Sequence, residues 1–487
     1  GLLTYDSVKR PLRGVLYTWL FPIMGTKPLT WHLFMLVARW GVSVLFWLLI
    51  RNIWPERKKM ALFAALAFAV YPGFDQQGIA VIYSVFMLVL AFLLLSFYLN
   101  ILALRKDRKW FYPLMIGSLF FAVLNISLLE YFYTLELLRP FLVFFLLQKK
   151  QKNRKENIKK TLVYSAPFLI VLFAITIYRT FFFEAQTESY DLTLIQSLRE
   201  NFLATLGNLS LSVVLDIFTA TVRAWWKALS HGISMDLSKL MLTRYGILSA
   251  AGAIGTGVFI RFFHWQNRAV SKRQENWQVI LFSAAAIILG GIPFWLTGLS
   301  VSVDFPNSRF TLSYLLGVCL LFGFVFDRFS RWKIPSTVFL SSLIGLSVGM
   351  HFLVGYQLRL EGEAHESVMQ QLSVRIPSLK PNTILMTNYI AGSFNSDNSL
   401  IGPLNYLYEE SPGDGKLEYL WVYPNARLGN DLLRIEPGLD YDYDFIVADF
   451  HGNTSQTIVI YKQSGSCIRV LDPELDPKNL ILEEYMR

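Results

Sequence analysis

Long apolar runs broken by short polar segments repeat along the first three-quarters of the chain, the pattern of helices that cross a bilayer, each needing about 20 mostly apolar residues. Such runs cover residues 31–50, 59–71, 81–104, 110–129, 134–147, 161–183, 245–264, 277–299, 310–326 and 335–356. They predict about ten spans, with 59–71 and 134–147 short for a crossing. Two other stretches read differently. In residues 206–229, Asp216, Arg223 and Lys227 interrupt an apolar run and Trp225–Trp226 suits a headgroup boundary, which predicts a helix lying along the interface. Leu12, Val15, Leu16, Trp19 and Leu20 recur at helical spacing beside Arg10 and Arg13, predicting a second interfacial helix within residues 4–25. After residue 356 the apolar runs shorten, alternation at 445–448 and 457–461 predicts strands, and 411–415 and Gly452–Asn453 read as turns. The expected architecture is mostly α: an external segment 1–30, a polytopic helical membrane bundle 31–356 with a long external loop at 184–244, and a small external α/β domain at 357–487.

Charge orients this list of spans. Basic residues occupy every second loop: Arg51, Arg57, Lys58 and Lys59; Arg105, Lys106, Arg108 and Lys109; the run 149–160; Arg268, Lys272 and Arg273; and Arg328, Arg331 and Lys333. Lys and Arg gather on the cytoplasmic side, so both ends of the chain are expected outside, with loops 72–80, 130–133, 184–244 and 300–309. Residues 357–487 hold 10 basic and 19 acidic residues, a net charge of −9 against +19 for the remainder. The basicity is therefore topological, and the expected partner is a lipid bilayer, not nucleic acid. A hydrophobic content of 54% with 15% aromatics excludes an ordinary water-soluble protein and excludes disorder. Cys319 lies in an apolar run and Cys467 in a polar tail, so no disulfide framework is expected. The first residue is Gly1, as in a processed product or a fragment.

The candidate chemistry gathers in the expected outer loops. YPGFDQQG (71–78), LLEYFYTLELLRP (128–140) and VDFPNSRF (303–310) supply the carboxylates Asp75, Glu130, Glu136 and Asp304, the amides Gln76, Gln77 and Asn307, and the guanidinium groups of Arg139 and Arg309. Arginine grips phosphate oxygens through paired bonds, and a carboxylate can take a proton from an attacking hydroxyl. The set therefore suits a polar substrate attached to a lipid phosphate. Glu136 and Arg139, three residues apart, can also simply pair with each other. Arg39, near the middle of the first run, costs about 2.5 kcal/mol or more at such depth and needs a partner; Glu130, Glu136 and Asp304 are candidates if it reaches outward. No phosphate-cradling Gly-rich loop, HExxH or GxSxG is present, and the histidines are scattered. No cofactor is expected, and a divalent metal is left open without being indicated.

Residues 9–54, KRPLRGVLYTWLFPIMGTKPLTWHLFMLVARWGVSVLFWLLIRNIW, carry a family resemblance. They resemble the end of the first external loop and the second span of GT-C-type membrane glycosyltransferases, the superfamily of protein O-mannosyltransferases and lipid A aminoarabinose transferases. There an interfacial helix opening on a basic-Pro-Leu element leads through a Gly turn into a transmembrane helix. The order of spans, the polar outer loops and the outer C-terminal domain are similar over nearly the whole chain. The resemblance implies inverting, hexosyltransferase-type transfer of a sugar from a polyprenyl-phosphate carrier to an acceptor hydroxyl at the external face of the plasma membrane, in the cell envelope. It implies an aspartate of the first external loop as general base, with Arg10, Arg139 and Arg309 stabilising the departing phosphate. In relatives that aspartate follows a first transmembrane helix. None precedes Gly1, so the chain departs from the pattern and is expected to lack that helix, which puts its catalytic competence in question. Asp6 is the one carboxylate left in that loop, either the base or its neighbour, and it joins Asp75, Glu130 and Asp304 as a candidate base. An O-antigen ligase or polymerase handles the same lipid-linked substrates and stays open as an alternative. So does a lipid-linked glycan transporter or flippase, which would want ionisable residues near mid-membrane, where Arg39 stands almost alone. Sugar and acceptor are not specified.

Overall fold

Helix α1 (Pro11–Met24) leaves Leu12, Val15, Trp19 and Ile23 exposed on one side and buries Tyr17 on the other, as expected of a helix at an interface. Gly25 follows with φ 66°, a left-handed turn that glycine adopts freely, and the Trp31 indole N–H closes the corner by donating to the Gly25 carbonyl at 2.9 Å. The computed structural model describes residues 11–150, 153–182, 193–262, 273–329, 333–387, 389, 398–408, 416–424, 438–444, 449–463 and 466–472.

From the corner the chain runs through α2 (Pro28–Ile53), α3 (Lys58–Ala69), a 3-10 turn (Gln76–Gly78), α4 (Ala80–Arg105) and α5 (Arg108–Leu128). A 3-10 segment (Glu130–Leu138), α6 (Arg139–Lys150), α7 (Arg154–Phe181) and α8 (Thr193–Glu200) follow. Next, α9 (Phe202–Phe218), a π turn (Thr219–Arg223) and α10 (Ala224–Ser234) join into one rod, succeeded by α11 (Lys239–Phe262) and α12 (Arg273–Thr297). A 3-10 segment (Asn307–Tyr314) leads into α13 (Leu315–Phe329), and α14 (Lys333–Arg375) is the longest element. Among the described residues nine helices are long and apolar enough to cross a membrane, and their composition suits a lipid bilayer.

The list of spans differs from the sequence expectation in two respects. Residues 59–71 correspond to α3, of 12 residues, and 134–147 to the end of the 3-10 segment Glu130–Leu138 with most of α6. At 1.5 Å per residue α3 covers about 18 Å, short of a hydrocarbon core about 30 Å thick. α3 is instead a core element: a Cβ on Gly323 of α13 would lie 2.6 Å from the Met60 carbonyl, so the two backbones are in contact. Residues 206–229, expected along the interface, belong to the 33-residue rod Phe202–Ser234, which is long and apolar enough to cross. Of the polar residues that argued against a crossing, Asp216 and Lys227 are buried and Arg223 is exposed, while Leu211, Val214, Leu215 and Phe218 point outward.

The basic loops converge on one end of the bundle. Arg105 donates to the Asn52 side chain at 3.1 Å, Lys149 to the Ile53 carbonyl at 2.8 Å, and Arg57 lies 3.5 Å from Glu275 and 3.8 Å from Asp327. The segments after α3, α5 and α12 meet at the other end, where Tyr131 packs against Phe294 and Phe310 and the Gln76 side chain donates to the Pro306 carbonyl.

Residues 9–355 form this bundle, and a second compact unit contains residues 356–487. In that unit β1 (Thr383–Met386) pairs in parallel with β3 (Tyr419–Val422) and β6 (Thr457–Tyr461), with β7 (Arg469–Val470) antiparallel at the edge. Helix α15 (Asn398–Tyr408) supplies Leu400, Ile401 and Leu404 to its core, beside Val368 and Leu372 from the last turns of α14. A smaller sheet orders β2 (Lys416–Leu417), β5 (Asp449–Asn453) and β4 (Asp440–Asp444). Gly452 and Asn453, expected in a turn, end β5, and Asn453 then caps a short 3-10 turn. The strand expected at 457–461 is β6; 445–448 and 411–415 lie outside the described residues.

Candidate functional site

The segment YPGFDQQG leaves α3 and enters a 3-10 turn, where successive side chains diverge by about 120°. Asp75 and Gln76 share Ser308 but otherwise reach different partners, and Gln77 reaches a third. Asp75 is buried and accepts hydrogen bonds from the Ser308 hydroxyl at 2.6 Å and from the Lys227 ammonium at 2.8 Å. Gln76 is fully buried; its amide donates to Ser308 Oγ at 2.6 Å and to the Pro306 carbonyl at 2.8 Å, and its carbonyl accepts from the Tyr83 hydroxyl. Gln77 accepts from Arg39. Arg39 also donates to the Tyr71 carbonyl at 3.2 Å and lies 3.4 Å from His351 Nε2.

Lys227 joins this segment to the loop after α12. Besides Asp75 it donates to the Val303 carbonyl and lies 3.4 Å from Asp304 Oδ1. One ammonium thus bridges two carboxylates of unlike environment: the Asp75 side chain is 3% exposed and that of Asp304 66%. The rod is held in register for this contact. Asp216 accepts from the Trp295 indole at 2.9 Å and from the Val301 N–H at 3.1 Å. Trp225 stacks on Phe322 at 4.4 Å and meets Tyr71 edge-on at 6.0 Å. The Tyr71 hydroxyl donates to the Ala220 carbonyl at 2.6 Å, within the π turn, where the helical ladder is widened. His231, one turn beyond Lys227, feels the charges of Lys227, Asp75 and Asp304.

Of the residues singled out from sequence, Asp75, Gln76 and Asp304 come together here, and Gln77, next in the chain, turns to Arg39. Asn307 and Arg309 flank Ser308 in the 3-10 segment, and the Arg309 guanidinium lies 5.1 Å from the Phe310 ring. Glu130 pairs instead with Arg179 at 3.5 Å, beside Tyr133, whose phenol burial pushes up against the opposing effect of that guanidinium. Glu136 and Arg139 pair with each other and are both fully buried. Arg139 donates to Ser118 at 3.2 Å and Ser96 at 2.7 Å, and its guanidinium sits 3.6 Å from the Phe168 ring, so its partners come from α4, α5 and α7. Asp6 and Arg10 lie outside the described residues.

Sequence reasoning passed over Lys227, Ser308, Tyr83 and His351. A lysine inside a run that is otherwise apolar was a signal for Lys227, since such a charge must find protein partners; Ser308 and Tyr83 carried none. Among the described residues no three His, Cys, Asp or Glu side chains come together to hold a metal ion. Chemically, the cluster offers an exposed carboxylate able to accept a proton, an ammonium beside it, and a buried carboxylate that anchors that ammonium. Comparison with known proteins finds no matching family model, curated protein or solved structure.

Proposed function

We propose that the protein is a membrane glycosyltransferase that moves a sugar from a polyprenyl-phosphate carrier to an acceptor hydroxyl, acting at the end of the bundle that holds Asp75, Lys227 and Asp304. The observation that carries this reading is the paired-carboxylate cluster, in which a solvated Asp304 stands on a buried Lys227–Asp75 foundation. In the proposed reaction the acceptor oxygen attacks the anomeric carbon and its proton passes to Asp304. The bond between that carbon and the phosphate oxygen breaks, its electron pair leaves with the lipid phosphate, and nearby cations stabilise the growing charge. With the basic loops cytoplasmic, this end is external, as is the second unit. The resemblance of residues 9–54 to GT-C enzymes points the same way. A flippase or transporter would move the lipid-linked sugar intact, so release of free polyprenyl phosphate separates the two classes.

The test is conversion of polyprenyl-phosphate hexose to polyprenyl phosphate, followed by mass spectrometry in membranes containing the full chain or its Asp304→Asn variant. Release that depends on Asp304 supports the transferase; equal release from both, or none from either, overturns it.

A further inference from the structure

Three Asn-x-Ser triplets occur in the chain, at Asn125, Asn208 and Asn453, and the proposed reaction uses none of them. Such a triplet is an acceptor for attachment of a glycan to the asparagine amide, and it serves only on an accessible surface outside the cell. Two of the three fail that condition. Asn125 is fully buried inside α5. Asn208 sits in the apolar rod Phe202–Ser234, where the Ser210 hydroxyl donates to the Leu206 carbonyl of its own helix at 2.8 Å and not to the asparagine.

Asn453 differs in place and in contacts. It ends β5 of the second unit, half-buried at the surface, with Ser455 exposed in the 3-10 turn that follows. Ser455 turns back on it: the hydroxyl donates to Asn453 Oδ1 at 2.7 Å and the backbone N–H to the same oxygen at 3.0 Å. At the other end of the amide, Nδ2 donates to the Gly438 carbonyl at 3.1 Å and to the Asp440 carboxylate at 3.0 Å. Strand register sets this last contact, since Asp440 of β4 lies opposite Asn453 of β5. Two donors on Oδ1 draw electron density toward the oxygen and make the Nδ2 protons more acidic, while a carboxylate stands in reach of one of them. An amide nitrogen must lose a proton to form a lasting bond to carbon, and both ends of this amide favour that loss.

We propose that Asn453 is a glycosylation site, its side-chain nitrogen receiving a glycan from a lipid-diphosphate donor through a separate transferase on the external face. In that step Nδ2 bonds to the anomeric carbon of the glycan. The bond from that carbon to the phosphate oxygen breaks, its electron pair leaves with the lipid diphosphate, and one Nδ2 proton passes to a carboxylate, a role for which Asp440 is placed. The site is independent of the transferase reading of the bundle. It rests on the basic loops being cytoplasmic, which puts the second unit outside.

The experiment isolates the full chain from its native membrane and follows the peptide containing Asn453 by mass spectrometry, before and after a peptide N-glycosidase that converts a glycan-bearing asparagine to aspartate. Wild type should carry a glycan that the enzyme releases, leaving aspartate at this position. Ser455→Ala should lose the glycan although the asparagine is kept, and Ser455→Thr, which keeps a hydroxyl, should retain it. Equal melting temperatures of the two variants exclude misfolding as the cause of the loss. Cys467, exposed in the same unit, reports orientation through labelling of intact cells with a membrane-impermeant maleimide. Labelled Cys467 with unmodified Asn453 overturns the site and leaves the orientation standing; Cys467 that labels only after the cells are opened overturns both. A glycan at Asn125 or Asn208 in place of Asn453, or one that survives at Asn453 in Ser455→Ala, also contradicts the proposal.

Discussion

Arg139 and Arg39 are arginines buried in the same apolar bundle, and their surroundings differ in kind. Arg139 has a carboxylate, two serine hydroxyls and the Phe168 ring around its guanidinium, all fixed by helix packing. Arg39 has an amide, a carbonyl and an imidazole, none charged opposite to it. The first is a closed structural pair whose worth lies in not being disturbed, since removing one partner of a buried pair costs about 3–5 kcal/mol. The second has neutral partners, one of them Gln77, which follows Asp75 and Gln76 in the chain. Burial of a charge alone therefore separates nothing; the two arginines differ in whether the protein itself supplies the counter-charge.

The sharpest contrast should come from Asp304→Asn, expected to cut sugar transfer about 10²–10⁴-fold with little change in melting temperature, since the side chain is 66% exposed and exposed ion pairs add little stability. Glu136→Gln should do the reverse. It leaves the Arg139 charge uncompensated and should cost about 3–5 kcal/mol by denaturant unfolding, while the protein that stays folded transfers sugar at close to the wild-type rate. A Glu136→Gln protein as stable as wild type but inactive would break the comparison. Lys227→Met falls between the two, costing about 3 kcal/mol because Asp75 loses its buried partner and also lowering transfer; a purely structural Lys227 would leave turnover per folded molecule unchanged. The smallest effect is expected at Arg309. Replacement by Ala or by Lys should weaken use of the lipid-phosphate donor only several-fold, read as a rise in KM, because Lys lacks the bidentate fork.

Hydropathy alone made most of the bundle legible. The cores of the helices long enough to cross lie in apolar runs, and the alternation of basic loops anticipated that Arg57, Arg105 and Lys149 would meet at one end. Length, not composition, decided α3: its residues are as apolar as a span's, and only the boundary at Ala69 shows that it is too short. In the rod Phe202–Ser234, two of the three polar residues read as interruptions, Asp216 and Lys227, are contacts within the bundle, and Arg223 is exposed. Lys227 and Asp75 are 152 positions apart, and no local pattern announces such a pair. For the same reason the three adjacent polar residues after α3 could be marked as candidates, whereas their partners Ser308, Tyr83 and Arg39 could not be assigned. Glu130 and Glu136 looked equivalent to Asp75 in sequence, each a carboxylate in a loop, and packing sends them to Arg179 and Arg139.

The most direct measurement is an electron cryo-microscopy map of the full chain with a bound polyprenyl-phosphate sugar. The account predicts sugar density beside the Asp304 carboxylate, with the phosphate at the same end of the bundle. Density for the sugar and phosphate at the opposite end, beside Arg57 and Arg105, or remote from Asp304, would contradict it.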